Sequence, residues 1–354
     1  FAAHGYDVCA SVLAPVVTHV FRIILRCGTC PSTWKCALVT PIPKVSSPSE
    51  FKDLRPISVT PILSRLFERL IVRKFILPAL PMPILSDQFA FRPTGSTTAA
   101  LVYVLHHITR MLEDNAYVRC LFIDYSRAFD TINHDLLLLL LLIIRKLISL
   151  ELPSFVVRWV ANFLTGRTQA VSSDGKLSSW LPITQSIVQG SSIGPMLYII
   201  FASDLKLLSA TNFLCKYADD KTLMVPENTN ISLEDEFRHI MQWSAKNKLT
   251  LNFTKTKEMI FHRPGPCRFI VPPPPVGIER VISFKLLGVY LASTLSMENH
   301  INYVLLLVNQ RLYLINQLRK QGLSAKAREV VFHSLVISRL LYALPAFVGF
   351  FVWC

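Results

Sequence analysis

Charged residues are few, 17% of the 354, while hydrophobic residues make up 51%. That combination excludes a mostly disordered chain, and the length allows two or three domains around a sizeable core. Cysteine, at eight residues, is too sparse for a disulfide scaffold. Cys27-Gly28-Thr29-Cys30 has one half of a zinc-ligand spacing, but no second CxxC or His pair follows. These cysteines therefore read as thiols in a reducing compartment. Long apolar runs are missing too: Leu136 to Ile144 is nine residues, and Leu340 to Cys354 is fifteen and contains Pro345. Both fall short of the roughly 20 residues that span a bilayer. The mean hydropathy of +0.41 is accordingly assigned to buried helices, with no stable membrane association. No signal peptide and no internal repeat are visible, and the chain starts at Phe1 as if cut from something longer. Glycine is rare, 12 residues against 22 prolines. Acidic residues are outnumbered, 23 against 37 Lys and Arg, for a net charge of +14. The excess suits a polyanionic partner, nucleic acid or anionic lipid, and charge alone does not separate the two.

What is present is an ordered alternation. Thr60-Pro61 predicts a cap and an N1 proline before a helix with the apolar stripe Ile62, Leu66, Leu70. A second helix is expected from Ser96 to about Glu113, then a strand over 118–123 ending at Asp124. Helices follow at about 135–149, 154–164 and 193–207, with an Asp174-Gly175 turn between short strands. Phe213–Tyr217 and Thr222–Val225 read as two strands joined tightly through Ala218-Asp219-Asp220. Ser232 and Asp235 open a helix reaching about Lys246. Short strands are expected near 249–252, 257–262 and 284–291, a rigid loop at Pro272–Pro275, and helices over 296–354 broken at Gly322. Strand, helix, hairpin, helix, strand is a split βαβ order.

Three carboxylates stand out by position: Asp124 at a strand end, and Asp219 with Asp220 in a hairpin turn. If these strands are neighbours, the acids converge at one sheet edge, a crowding that is unfavourable unless cations sit between them. Hard oxygen ligands select Mg²⁺ or Mn²⁺, and two such ions serve phosphoryl transfer by activating the attacking oxygen and stabilising the leaving one. A polar turn and a strand-end cap are the alternative reading.

The surrounding residues resemble a known family. Phe122-Ile123-Asp124-Tyr125-Ser126-Arg127-Ala128-Phe129-Asp130 is similar to polymerase motif A of reverse transcriptases. Gln189-Gly190-Ser191-Ser192-Ile193-Gly194-Pro195 resembles motif B, and Tyr217-Ala218-Asp219-Asp220 the YxDD box of motif C. Leu251–Lys257 is similar to motif D and Phe284–Val289 to the motif E grip. Trp34-Lys35 through Pro41–Lys44, Leu54–Ser58 and Gln88–Pro93 resemble the finger blocks of non-LTR retrotransposon enzymes. In order and spacing these blocks cover nearly the whole chain, and the group they resemble is the LINE-type, Jockey-like one.

The resemblance implies an α+β right-hand polymerase fold with fingers, a split-βαβ palm and a helical thumb. The expected division is fingers over 1–117, palm over 118–291 with a finger insertion at about 150–185, and thumb over 292–354. It also implies an RNA-directed DNA polymerase, a nucleotidyltransferase that adds dNTPs to a primer 3′-hydroxyl on an RNA template. Asp124, Asp219 and Asp220 would hold Mg²⁺, with Mn²⁺ as a substitute. Phe129 matches the steric gate that fills the space of a ribose 2′-hydroxyl; its alternative is palm core. Tyr125 would offer its backbone amide near the triphosphate. Gln189 and Gly190 would contact nucleotide and template, glycine permitting close backbone approach; the alternative is a plain loop before a helix.

Lys44, Lys52 and Arg55 are the triphosphate candidates, Arg55 first because guanidinium pairs phosphate oxygens bidentately; a solvated basic face is the other reading. Arg92 would brace the template or cap its own turn. Lys255 would protonate departing pyrophosphate, or is a solvent-facing lysine at a strand end. Arg311, Arg319, Lys320, Lys326 and Arg328 fit a helix tracking a duplex backbone, or an ordinary helix surface. His106 and His107 read as unpartnered and mid-helix, and Trp159 and Trp243 as core. The Leu136–Leu142 run and Pro272–Pro275 are unusual for the family. An endonuclease expected upstream in such elements, and an RNase H region, are not in this sequence. An intracellular, nuclear or cytoplasmic ribonucleoprotein is the expected setting. Three rivals remain: a non-catalytic RNA-binding remnant, opposed by the presence of every acid, the gate and the motif B glycine; an RNA-templated RNA polymerase, opposed by a bulky Phe129; and a membrane-bound helical protein, opposed by segment length.

Overall fold

The computed structural model describes residues 10–81, 85–125, 136–173, 175–183, 190–265 and 269–353. In chain order, helix α1 (Ala10–Cys27) precedes strands β1 (Cys36–Pro43) and β2 (Leu54–Val59) and helices α2 (Ile62–Ile71) and α3 (Thr97–Asp114). Strand β3 (Tyr117–Ile123) follows, then α4 (Leu136–Ser149), α5 (Ser154–Leu164), β4 (Thr168–Ser173), the short β5 (Lys176–Leu177) and β6 (Leu181–Pro182), and α6 (Gly194–Phe201). The hairpin β7 (Phe213–Tyr217) and β8 (Asp220–Pro226) leads to α7 (Leu233–Lys246), β9 (Lys257–His262) and β10 (Glu279–Arg280). A second hairpin, β11 (Ser283–Leu286) and β12 (Val289–Ala292), is followed by α8 (Glu298–Lys320) and α9 (Ala325–Phe332). The chain forms two compact units: Phe1–Leu85, Arg127–Asp204 and Asn247–Leu249 in the first; Ser86–Ser126, Leu205–Lys246 and Thr250–Cys354 in the second. Residues 86–117 and 292–354 share the second unit with the β3 sheet.

In the first unit β1 lies between β2, antiparallel, and β4, parallel. Phe21, Phe67 and Trp159 build an edge-to-face aromatic core, with ring centroids 4.8 Å apart for Phe21–Phe67 and 5.0 Å for Phe67–Trp159. This corrects the face expected for α2. Ile62 and Leu66 are exposed, whereas Ser64, Phe67, Glu68 and Ile71 are buried. The large Phe67 ring and a satisfied carboxylate win the interior over the leucine stripe. Thr60 makes no capping bond, and Pro61 takes the N-cap place instead.

In the second unit the sheet order is β10-β9-β3-β8-β7, with β3 central and antiparallel to both neighbours. Val118 to Ile123 are all buried, as a strand covered on both faces requires. Helix α3 starts at Ser96, whose Oγ accepts the Ala99 N–H at 3.0 Å. Its Leu101, Val104, Leu105, Ile108 and Leu112 join one core with Phe122, Met224, Met259 and Phe261. Helix α7 starts as expected, with Ser232 Oγ accepting the Asp235 N–H at 3.1 Å.

Several expectations are corrected. Helix α6 ends at Phe201, not near 207, where Lys146 donates to the Phe201 carbonyl and pairs with Asp204 at 2.8 Å. Around 249–252 there is a single bridge, Leu251 to Tyr125, rather than a strand. His107 is partnered: it stacks on Phe213 with centroids 3.9 Å apart. Trp159 and Trp243 are core, as expected. Asp174 lies outside the described residues. Among the described residues, two helical stretches, Ala10–Cys27 and Ala325–Phe350, are long and apolar enough to cross a membrane by length and composition alone. The second sends Val336, Ala346 and Phe347 into the interior of its own unit.

Pro272–Pro275 is tied down by charge. Arg119 of β3 donates to the Pro273 carbonyl at 3.0 Å and pairs with Glu258 at 2.7 Å and Glu234 at 2.8 Å. Glu258, fully buried on β9, also holds Arg280 at 2.6 Å. Breaking one partner of a buried ion pair leaves an uncompensated charge, so Glu258→Ala is expected to cost about 3 kcal/mol, read as a lower urea midpoint; an unchanged midpoint would show that Glu234 alone compensates Arg119.

Candidate active site

Strand β3 ends at Ile123, which pairs with Lys221 on β8. The next residue, Asp124, therefore leaves the sheet beside the start of β8. There Asp220 pairs with Tyr217 across the two-residue turn Ala218-Asp219. Ala218 holds a φ of 55°, a left-handed conformation that costs a non-glycine residue about 1–2 kcal/mol. Its N–H donates to Gln88 Oε1 at 3.3 Å, and Gln88 itself bridges to Lys216 of β7. Strain at this tip is held by contacts outside it, and it fixes the directions of Asp219 and Asp220.

The crowding raises the proton affinity of Asp124 and Asp220. Asp124 is lifted above the ordinary aspartate value by burial and by Asp219, against the pull of Lys255. Asp220 is lifted to about 6, first by loss of solvation, then by Asp219 and Asp124, against Lys221. Solvent still reaches Asp220, which weakens the desolvation part and leaves the like-charge part standing. Asp124 Oδ2 is buried, and among the described residues no hydrogen-bond donor reaches it. The Asp124 backbone is fixed on both sides: its N–H donates to Thr256 Oγ1 at 3.3 Å, and its carbonyl accepts the Asn252 N–H at 2.9 Å.

Lys255 stands in the Asn252–Thr256 turn, where Asn252 Oδ1 accepts its N–H at 3.2 Å. Its Nζ is 3.9 Å from Asp124 Oδ2, and its side chain is 72% exposed, so it is free to move toward a ligand. Tyr125 is buried, bonded through its hydroxyl to Ser244 Oγ at 3.0 Å. Against its ring lies Lys221 Nζ, 3.9 Å from the centroid. Lys221 is the residue the sequence reading missed. It is buried on β8 opposite Lys216, and burial with the Lys216 charge pushes it down to about 7, against Asp219 and Asp220. Its signal was a lysine directly after the acidic pair, opening a strand that otherwise runs apolar. Lys216 is held by Asp87 at 3.0 Å and the Leu205 carbonyl at 2.7 Å.

A cleft of about 520 Å³ opens beside Asp124 and Asp220, walled by Lys255, Lys257, Lys285 and the Phe122–Phe284 stack. The structure thus brings together Asp124, Asp219, Asp220, Lys255 and Tyr125 in the second unit. Lys44, Arg55 and Gly190 belong to the first unit. Arg55 is exposed on β2 opposite Ile42, and Lys44 follows β1, its N–H donating to the Asp53 carbonyl at 2.7 Å. Gly190 has a φ of 109°, and a Cβ there would stand 2.2 Å from the Ser58 carbonyl oxygen; only glycine fits. Arg92 lies over the Phe89 ring at 4.6 Å and accepts the Gly95 N–H on its carbonyl. Arg311 donates to the Leu335 carbonyl, so it is engaged within its own helical region. Phe129 and Gln189 lie outside the described residues, as does the Lys52 side chain.

Hard-oxygen donors, an orphaned buried carboxylate oxygen and mutual repulsion fit a divalent cation. Among the described residues, Asp124, Asp219 and Asp220 included, no three His, Cys, Asp or Glu side chains are placed to hold a metal ion by themselves. That suits Mg²⁺, which keeps several waters and takes one or two carboxylates together with substrate phosphates.

The profile of the family described as "Reverse transcriptase (RNA-dependent DNA polymerase)" matches residues 42–291. The RNA-directed DNA polymerase from mobile element jockey of Drosophila melanogaster is 28% identical over 351 residues, 93% of this chain and 37% of the relative. The probable RNA-directed DNA polymerase from transposon X-element of the same species is 27% identical over 322 residues, 84% of this chain and 34% of the relative. This chain spans a little over a third of the length of such relatives. A telomerase from Candida tropicalis, solved in complex with a TWJ fragment of telomeric RNA, superposes with a TM-score of 0.51 at 12% identity, covering 92% of this chain and 55% of that one. The shared architecture is the right-hand polymerase fold.

The raised Asp220 carboxyl has a sign that can be measured. Its proton is held more tightly in the folded state, so folding bears a growing penalty as pH rises from 3.8 to about 6. In metal-free buffer Asp220→Asn is therefore expected to melt higher than the wild type above pH 6 and to converge with it near pH 4 in thermal unfolding. A constant difference across that range would contradict the carboxylate crowding.

Proposed function

This chain belongs to the reverse transcriptase (RNA-dependent DNA polymerase) family, and on that premise we propose that it is the RNA-directed DNA polymerase of a non-LTR retrotransposon. It adds dNTPs to a primer 3′-hydroxyl on an RNA template. The observation that carries this reading is the shared sheet edge of Asp124, Asp219 and Asp220, whose carboxylates repel one another. Mg²⁺ or Mn²⁺, when bound to these acids, would supply the charge that activates the attacking hydroxyl and stabilises the leaving pyrophosphate.

The chain's own groups do the rest. The strained Ala218 turn aims Asp219 and Asp220, and Thr256 with Asn252 clamps Asp124. Lys255, solvated and beside Asp124, holds a proton where pyrophosphate departs. Tyr125, locked by Ser244 and Lys221, presents its backbone amide to the triphosphate. Arg55 and Lys44 of the β1–β2 hairpin supply positive charge for the phosphates, Gly190 the close approach to nucleotide and template, and Phe129 the gate against ribonucleotides. In this reading 1–117 are fingers, 118–291 palm with an insertion at about 150–185, and 292–354 thumb. The partners are an RNA template, a DNA primer or target and dNTPs, in an intracellular ribonucleoprotein. The net charge of +14 supports binding to such polyanions.

Primer extension on an RNA template with Mg²⁺ and dNTPs tests the assignment. The wild type is expected to extend the primer, with dNTPs preferred over rNTPs, and Asp219→Asn to lose about a hundredfold or more in rate. Extension by neither protein would favour a non-catalytic RNA-binding remnant, and equal extension by both would overturn the site.

A further inference from the structure

The loop that opens α6 is held by a carboxylate that no sequence motif singled out. Glu68, on α2, is fully buried. Its Oε2 accepts the Ser192 N–H at 2.6 Å and the Ile193 N–H at 3.2 Å, while Oε1 accepts the Ser64 hydroxyl at 2.9 Å. Ser191 Oγ accepts the Gly194 N–H at 3.0 Å, and Pro195 has none to offer. From the other side, Gly190 lies so close to β2 that a Cβ would meet the Ser58 carbonyl oxygen at 2.2 Å. The loop 190–193 is thus trapped between β2 and α2. Strand β2 also carries Arg55, three residues before Ser58.

We propose that Glu68 is a positioning residue for nucleotide selection: it holds the Ser192 and Ile193 amides from α2 and so keeps the Gly190–Ile193 loop against the β2 strand that carries Arg55. This rests on the reading of Gly190 and Arg55 as nucleotide contacts. Glu68 touches no substrate and acts through the loop. Within the loop itself, Ser191 Oγ already accepts the Gly194 N–H. Glu68 supplies a second acceptor set from a separate element, which makes the loop's place depend on α2. Two N–H donors converge on one oxygen, where a carboxylate holds them by charge-assisted bonds that a neutral amide does not give. In Glu68→Gln the amide oxygen accepts the two loop N–H groups without that charge assistance, and the Ser64 hydroxyl loses its acceptor. The loop then samples other positions, and a bound nucleotide must order it.

The test compares Glu68→Gln with Phe67→Leu, a core change on the same helix that loosens packing against Trp159 without touching the loop. Two readouts are taken on each purified protein. Hydrogen exchange at Ser192 and Ile193 is expected to accelerate in Glu68→Gln and to stay at the wild-type rate in Phe67→Leu, relative to other amides of the unit. In primer extension, normalised to titrated active sites, Glu68→Gln is expected to raise KM for dNTP about tenfold with kcat changed less than about twofold, as loss of a charge-assisted hydrogen bond predicts. Phe67→Leu is expected to lower the active fraction alone. Unchanged exchange, an unchanged KM, or the same KM rise in Phe67→Leu would each overturn the role of Glu68. Failure of the wild type itself to extend a primer would instead count against the polymerase reading on which this rests.

Discussion

Three carboxylates at the end of one antiparallel strand pair repel one another, and much of the second unit is arranged to keep them there. The register of β3 on β8 leaves Asp124 beside Asp220. Sliding β3 by one residue would exchange its two buried faces and take Arg119 away from Glu234 and Glu258, so that pairing locks the acid in place. The turn that carries Asp219 is strained at Ala218, and the strain persists because Gln88 and the paired strands over-determine it. Beneath the acids, Lys221 is buried against the Tyr125 ring, with Lys216 opposite it neutralised by Asp87. The site is thus unfavourable in isolation and acquires its sense from charge brought to it.

The chemistry was more legible in the sequence than the packing around it. Asp124, the YxDD turn and the surrounding strands appear where their pattern put them, because a strand buried on both faces leaves an unmistakable apolar run and a tight hairpin has few residues to choose from. The same pattern reading failed on α2. There Ile62, Leu66 and Leu70 imitate a core stripe, but the interior is taken by Phe67 and by Glu68, whose burial is allowed only by three donors from Ser64, Ser192 and Ile193. No periodicity rule assigns a glutamate to a core, since two of the donors that satisfy it, Ser192 and Ile193, lie more than a hundred residues away in the chain. Lys221 was missed for a similar reason: a buried lysine is explained by the aromatic face and the carboxylates around it, not by its sequence neighbours. The end of α6 was misplaced because Lys146, on another helix, takes the carbonyl at Phe201.

The first unit shows how a glycine motif acquires meaning. Gly190 resembles a motif residue by its neighbours, but its necessity is spatial: the Ser58 carbonyl occupies the place of a side chain. With Glu68 holding the Ser192 and Ile193 amides, the loop before α6 is fastened to helix α2 as well as packed on strand β2. Arg55 of β2 and Lys44, just past the end of β1, lie in the same compact unit as this loop.

In the proposed function Asp124 and the Asp219–Asp220 pair share divalent ions. Fe²⁺ in place of Mg²⁺, with ascorbate and peroxide, cuts a polypeptide only within a few ångströms of the bound ion. Shared ions predict two sets of cuts, near residue 124 and near 219–220, both lost when excess Mg²⁺ is added and both weakened together in Asp124→Asn. Cuts at only one of the two segments, or none that Mg²⁺ suppresses, would contradict the account.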